Sequence, residues 1–300
     1  MHPEPLRDQL LFSCTADGAR PLAFHAAIGS ASRAIDLVQP GVYEGLRTFE
    51  RRRFFGLRTH LDRLRTSAAG FKTPLAYDEE VLVAGLQAAA ASATAAFDSE
   101  ARLRVDVAAA PATAFGCESS LLIAATPFRG VPAPLLRDGA TVRTAPGLRR
   151  PDPAVKTSDF IPLREAWITA HGDPDAYEHV MLSEDGMLLE GTQSNLVLVR
   201  GRELFHAPHG VLPGVTVRAV LDLAREAGLT VHDEFVPLSD LPSIDEAFMT
   251  TSVRSVVPIR SIDERHFPAP GPVTRELAAL YDTLTETDAV ESTERESARY

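Results

Sequence analysis

The chain has 300 residues, 45% hydrophobic and 24% charged, with a formal net charge of −11 at pH 7. It is long enough for one large domain or two modest ones around a sizeable core. The acidic balance argues against a nucleic-acid partner, because phosphate neutralisation needs a basic surface. The first ten residues, M-H-P-E-P-L-R-D-Q-L, lack a basic segment followed by an apolar core, so no signal peptide is expected. The small-residue run A-G-L-Q-A-A-A-A-S-A-T-A-A-F is too short and polar to span a bilayer. Two cysteines, Cys14 and Cys117, lie far apart without metal-type spacing, which suits a reducing cytoplasm. The nine histidines are scattered, and no metal site is expected.

In chain order, R-T-F-E-R-R-R-F-F-G-L-R predicts a hairpin running into a helix, T-H-L-D-R-L-R-T-S-A-A-G-F, with Leu61 and Leu64 at helical spacing and a stop at Gly70. Residues 78–97 predict an Ala-rich helix. R-L-R-V-D-V-A-A-A (102–110) and L-L-I-A-A-T (121–126) read as strands. T-P-F-R-G-V-P-A-P is the best domain boundary. The division expected is a small N-terminal α/β domain over 1–126, a loop over 127–137, a larger domain over 138–285 and a polar tail over 286–300. In the second part, R-E-A-W-I-T-A reads as a helix. H-V-M-L-S-E-D-G-M-L-L-E-G reads as a hairpin turning on Asp185-Gly186. N-L-V-L-V and A-F-M-T-T-S read as strands. V-T-V-R-A-V-L-D-L-A-R-E-A-G reads as an amphipathic helix stopped by Gly228.

Of 30 basic side chains only two are lysines, Lys72 and Lys156. An ε-amino group can lose its proton and form a Schiff base, whereas a guanidinium cannot. A lysine kept in P-D-P-A-V-K-T-S-D-F is therefore a candidate nucleophile, with a chance surface lysine as the ordinary alternative. Lys72, at a helix end, fits the ordinary reading better. Glu190 ends a hairpin strand among small or apolar neighbours, where a carboxylate needs a cationic partner or a shifted pKa. In V-L-P-G-V-T-V-R-A-V a turn opens a helix whose free N–H groups, with Thr216, make an anion site. Thr250, Thr251 and Ser252 at a strand end supply further hydroxyls, and Arg58 a bidentate cation. An amine, a carboxylate and a cluster of N–H, OH and guanidinium donors are the inventory of a pyridoxal phosphate site.

The ordered set G-V-Y-E-G-L-R, F-F-G-L-R-T-H-L-D-R-L, V-K-T-S, D-G-M-L-L-E-G-T-Q-S-N-L, L-P-G-V-T-V-R, F-M-T-T-S and V-P-I-R-S-I-D resembles the class IV aminotransferases, the fold-type IV pyridoxal phosphate enzymes. These include branched-chain and D-amino-acid aminotransferases, (R)-amine transaminases and 4-amino-4-deoxychorismate lyase. The resemblance implies an α/β (α+β) fold of two domains with the site between them, and a homodimer. It implies that Lys156 forms the imine and shuttles the proton. Glu190 would pair with the ring nitrogen, and Arg58, Val215, Thr216, Thr251 and Ser252 would bind the phosphate. Tyr43, Arg47 and Arg104 would face substrate. Where branched-chain enzymes have a tyrosine five residues after the lysine, this chain has Ile161, with Phe160 before it. Arg149, seven residues before Lys156, is the replacement expected. The arginine–histidine trap of the D-amino-acid branch is missing from A-A-A-P-A-T-A-F-G. The implied activity is ping-pong transfer of an amino group from an amino acid or amine to a 2-oxo acid, with a branched-chain-like L-amino acid as the leading donor. The alternatives are a lyase of the deoxychorismate type and a catalytically silent cofactor-binding protein.

Overall fold

The computed structural model describes residues 9–23, 35, 38 and 40–290. The first eight positions of the N-terminal stretch and the polar tail from 291 onward lie outside the described residues. The fold is mixed α/β, and the chain divides into two compact units. The first comprises the chain up to Arg129, Val155–Asp159 and the chain from Thr285; the second comprises Gly130–Ala154 and Phe160–Leu284. The linear division read from the sequence does not anticipate the two returns to unit 1.

Unit 1 is built on an antiparallel sheet of β1 (Leu10–Thr15), β2 (Gly18–Pro21), β3 (Gly41–Arg47), β4 (Ala101–Ala108) and β5 (Leu121–Pro127), in the order β2-β1-β5-β4-β3. Alternation sorts its side chains. Phe12, Ile123 and Ala125 join Val42, Leu46, Leu103 and Val105 in the core beneath helices α1 (Leu57–Gly70) and α2 (Glu79–Ala96), while Leu11, Leu122 and Ala124 pack on the opposite face. Asp78 caps α2, its Oδ1 accepting from the Glu80 and Val81 N–H groups at 2.9 and 3.2 Å. The Ala-rich composition of α2 lets it lie close to the sheet: a Cβ at Gly85 would come within 2.6 Å of Cys14 Sγ. Burial there pushes the Cys14 thiol up to about 12, which leaves it inert at neutral pH.

β3 is the edge of this sheet, and the lysine segment docks on it. Val42 bridges Thr157 in antiparallel fashion, the Tyr43 N–H donates to Lys156 O at 3.0 Å, and the Ser158 N–H donates to Gly41 O at 2.9 Å. Gly41 has no room for a side chain, since a Cβ would run into the Val107 carbonyl. The polar tail expected from residue 286 begins instead as ordered structure: Phe54 and Val290 exchange both backbone hydrogen bonds.

Unit 2 holds a nine-stranded mixed sheet. It comprises β6 (Ala140–Ala145), β7 (Glu178–Leu182), β8 (Leu188–Gly191), β9 (Asn195–Arg200), β10 (Glu203–His206), β11 (Thr230–Asp233), β12 (Glu246–Thr251), β13 (Ser255–Ile262) and the short β14 (Arg265–His266). Its order is β11-β10-β9-β12-β13-β6-β7-β8, with β14 beside β13. The helices are α3 (Ala133–Asp138), α4 (Phe160–His171), α5 (Val215–Glu226) and α6 (Pro272–Asp288), the last running into the segment counted with unit 1. Val142, Val180, Leu196, Met249 and Ile259 are among the side chains of the main core. β12 points Ala247 and Met249 into that core and turns Glu246, Phe248 and Thr250 to the other face.

Candidate active site

Unit 1 carries an amine. Period-2 alternation and the register of β3 against β4 put Lys156, Tyr43, Arg47 and Arg104 on one face of the sheet edge, opposite the helix-packed face. Lys156 Nζ lies over the Tyr43 ring, 4.7 Å from its centroid, and the Arg104 guanidinium lies 4.9 Å from the same centroid. Arg104 is buried and engages Asp106 through both arms of its fork at 2.8 Å. Arg47 stacks on Phe49 and Phe128. Between Tyr43 and Arg47, the Cβ position of Gly45 meets open space. The Lys156 backbone is fixed by its N–H donating to Ser67 Oγ of α1 at 3.1 Å. Arg58, at the start of α1, donates to Glu79 Oε1 at 2.6 Å and sits 3.4 Å from Asp62. Lys72 is an exposed residue paired with Asp159 at 2.9 Å.

Unit 2 carries an acid and an anion site. Glu190, on β8, is buried. Its Oε1 accepts from Arg150 Nε at 3.2 Å, and its Oε2 accepts from Asn195 Nδ2 and the Leu212 N–H, each at 3.1 Å. The cationic partner required by the sequence argument is therefore Arg150, which also stacks on Phe160 and offsets the cost of burying the carboxylate. Asn195 donates to Leu212 O as well, at 2.8 Å, and a Cβ on Gly214 would collide with its amide oxygen. The carboxylate and the start of α5 are thus locked together through Asn195, Leu212 and Gly214. α5 begins without a side-chain cap, so the first N–H groups, from Val215 onward, face outward along the helix dipole. Thr216 Oγ1 lies 3.5 Å from Ser252 Oγ and 3.3 Å from the Tyr281 hydroxyl of α6.

Two of the expected residues have polar partners within the protein itself. Arg149 is partly exposed and ion-paired to Glu184; its neighbour Arg150 takes the inward position. A run of two arginines reaches opposite sides of an extended segment, and the sequence does not say which is inside. The Thr251 hydroxyl accepts from the Arg254 N–H at 2.8 Å, which leaves its proton to be donated elsewhere, and Ser252 faces Thr216. Sequence reasoning missed Arg150, Asn195 and Tyr281. Their signal was polarity alone: the second of two adjacent arginines, an amide opening a strand and a tyrosine on a helix.

Each unit carries groups that pyridoxal phosphate uses. The cofactor requires an amine for its aldehyde, a carboxylate for its ring nitrogen and donors for its phosphate. Unit 2 alone carries the last two at a fixed separation. Arg150 Nη1 and Thr250 Oγ1 are among the buried polar atoms with no hydrogen-bond partner among the described residues. Nothing comparable suggests a metal: no group of three or more His, Cys, Asp or Glu among the described residues is arranged to hold one. No described helix is long and apolar enough to cross a membrane.

Residues 41–262 match the family described as amino-transferase class IV. The chain is 30% identical over 256 residues to a probable branched-chain-amino-acid aminotransferase of Thermotoga maritima, covering 82% of this chain and 86% of that one. A solved putative branched-chain amino acid aminotransferase from the same organism superposes with a TM-score of 0.73 at 26% identity, covering 97% and 99% of the two chains. A shorter match, 34% over 113 residues, is to the aminodeoxychorismate lyase of Bacillus subtilis, covering 37% of this chain and 41% of that one. The chain belongs to the class IV aminotransferase family and is a pyridoxal-phosphate-dependent aminotransferase of that fold type.

Proposed function

We propose that the protein moves an amino group from a branched-chain-like L-amino acid to a 2-oxo acid, with Lys156 as the catalytic amine. The observation that carries the assignment of roles is the rigid link from Glu190 through Asn195 to the uncapped start of α5. It holds an acid and an anion site at one spacing, as a single molecule bearing both a ring nitrogen and a phosphate requires. Pyridoxal phosphate, when bound, supplies the electron-accepting ring that makes a substrate Cα–H acidic. Lys156 holds the cofactor between turnovers and then carries the proton from the substrate Cα as general base and acid. Glu190 keeps a proton on the ring nitrogen, and Arg150 balances its charge. The Val215 N–H, Thr216, Ser252 and Arg58 bind the phosphate, the last by exchanging part of its contact with Glu79.

The donor class is supported by the names of the Thermotoga relatives. It is also supported by the engagement of Arg104 with Asp106, which does not suit recognition of a second substrate carboxylate. The family's other known reaction, release of pyruvate by a lyase, is the second reading, favoured by the Bacillus subtilis match. We further infer a cytoplasmic homodimer, in keeping with two cysteines that are free and with the family resemblance; light scattering at micromolar concentration tests the dimer.

The deciding experiment is an absorption titration of the holoenzyme with L- and D-amino acids and amines. Loss of the visible band with one donor, restored by a 2-oxo acid, establishes amino transfer and names the donor. Pyruvate formed from aminodeoxychorismate without an acceptor establishes the lyase instead.

A further inference from the structure

β8 ends at Gly191 and β9 begins at Asn195, so a three-residue turn separates the strand that carries Glu190 from the amide that holds its carboxylate. Strands joined so closely usually pair as a hairpin, and the ladder between them fixes both. Here β8 pairs with β7, β9 pairs with β10 and β12, and β12, β13, β6 and β7 lie between β8 and β9 in the sheet order. No ladder among the described residues joins the two strands, so the turn itself must set where Glu190 and Asn195 stand.

One side chain takes the place of the ladder. Glu178, at the start of β7, is 3% exposed and gathers all three turn residues. Its Oε1 accepts from the Thr192 hydroxyl at 2.7 Å, the Thr192 N–H at 3.2 Å and the His179 N–H at 2.9 Å. Its Oε2 accepts from the Gln193 N–H at 3.2 Å and the Ser194 hydroxyl at 3.3 Å. The turn is drawn in so closely that a Cβ on Gly191 would overlap Ser194 Oγ and lie 3.0 Å from Glu178 Cγ. Each of these contacts asks Glu178 to accept, and only a carboxylate accepts on both of its terminal atoms.

A buried carboxylate needs compensation. Glu44, in unit 1, accepts from Arg63 at 2.7 and 2.6 Å and faces His60 at 2.9 Å; Glu190 meets Arg150; Glu246 accepts from the first turn of α6. Among the described residues Glu178 has neither a cation nor a helix start, and the turn's donors with the His179 N–H compensate it. The dependence is mutual: the carboxylate needs the donors, and the donors hold the turn in one shape only while the carboxylate is there.

We propose that Glu178 is a positioning residue for the acid. It fixes the turn that sets Asn195 against Glu190, and through that pair it governs how firmly a proton is held on the cofactor's ring nitrogen. The proposal rests on the role given to Glu190 above. Asn195 Nδ2 donates both to Glu190 Oε2 at 3.1 Å and to Leu212 O at 2.8 Å, so a displaced Asn195 loosens the acid and the segment leading into α5 together.

Glu178→Gln keeps the size of the side chain but turns an amide group toward donors. In the apo chain, hydrogen exchange at the Thr192 and Gln193 amides is expected to speed up by about tenfold. With pyridoxal phosphate labelled with 15N in the ring, the ring-nitrogen signal of E178Q is expected to move toward its unprotonated position, and the cofactor dissociation constant to rise by about tenfold. T192V removes one donor and leaves the carboxylate; it is expected to move both in the same direction by less, and it keeps the test alive if E178Q fails to fold. E178D, with two acceptor oxygens on a shorter arm, is expected to recover part of the parent's signal. A ring-nitrogen signal that stays at the parent's position in folded E178Q and T192V confines Glu178 to holding up the fold and overturns the proposal, as does unchanged exchange in the turn. E190Q is the reference: a ring-nitrogen signal that does not move there overturns the role given to Glu190 instead, while the exchange rates of the apo chain still report whether Glu178 holds the turn.

Discussion

The two units hold their functional groups by different means. Unit 1 seats Lys156 on the open edge of a sheet, with ionic groups buried on the far side of that edge. Unit 2 seats Glu190 inside a lattice of amide donors, with one guanidinium for charge balance. The contrast follows from what each group must do. A carboxylate that only holds a proton in place is best fixed by short, directional hydrogen bonds. An amine that, in the role proposed for Lys156, gains and loses protons gains nothing from bonds strong enough to freeze its charge state.

The sharpest way to break the contrast is to remove the groups themselves. Lys156→Ala is expected to abolish the visible cofactor band and reduce turnover by about a thousandfold or more, because no other amine of the described fold occupies that face. Glu190→Gln is expected to cut turnover by about a hundredfold. It should also destabilise unit 2 by about 3 kcal/mol, because Arg150 is left buried with half of its pairing lost. Calorimetry on the apo chain separates that second effect from the first.

Acidification sharpens the comparison from the other side. The folded-state values of Glu44 and His60 both lie below their ordinary 4.5 and 6.5. For each, the unfolded chain binds the proton more readily, so each contributes stability above its ordinary value and loses it as pH falls toward the folded one. The melting temperature of the parent is expected to drop as pH falls from 6.5. In H60Q, which keeps a donor for Glu44 but has no ring to protonate, the fall above pH 4.5 is expected to be smaller. The smallest effect expected is from Glu246→Gln. Glu246 accepts from the Val273 N–H at 3.1 Å and from the Thr274 N–H and hydroxyl at 2.9 and 2.8 Å, capping α6 and so placing Tyr281 against Thr216. A loss of about 1 kcal/mol in urea denaturation, with a modest rise in cofactor dissociation, is the outcome that fits.

Much of this was legible in the sequence where chemistry and period coincide. The helices ending at Gly70 and stopped by Gly228, the Asp185-Gly186 hairpin and the strand A-F-M-T-T-S all emerge near their expected bounds. Alternation even predicts that Glu190 needs a cation. It does not say which of Arg149 and Arg150 provides it, because that depends on how an irregular segment turns. Glu44, His60 and Arg63 were invisible for a related reason. Each looks like a surface charge on an amphipathic element, and only the pairing of β3 with α1 reveals that all three are buried together. For Arg104, expected to face substrate, alternation gives the face but not the neighbour: the structure buries it against Asp106.

The three-piece make-up of unit 1 has a consequence for how the molecule comes into being. Gly41 and Ser158, which clasp each other beside the lysine, are 117 positions apart, and the Arg53 Nε contact with Ala289 O spans 236. Contacts of that span close late, because the intervening chain must be ordered first. During synthesis, the edge strand is finished long before the segment that brings the amine, and unit 1 is sealed only when nearly the whole chain has emerged. A nascent chain therefore displays an empty strand edge until Val155–Asp159 has emerged, and no single cut of the finished protein separates the two units.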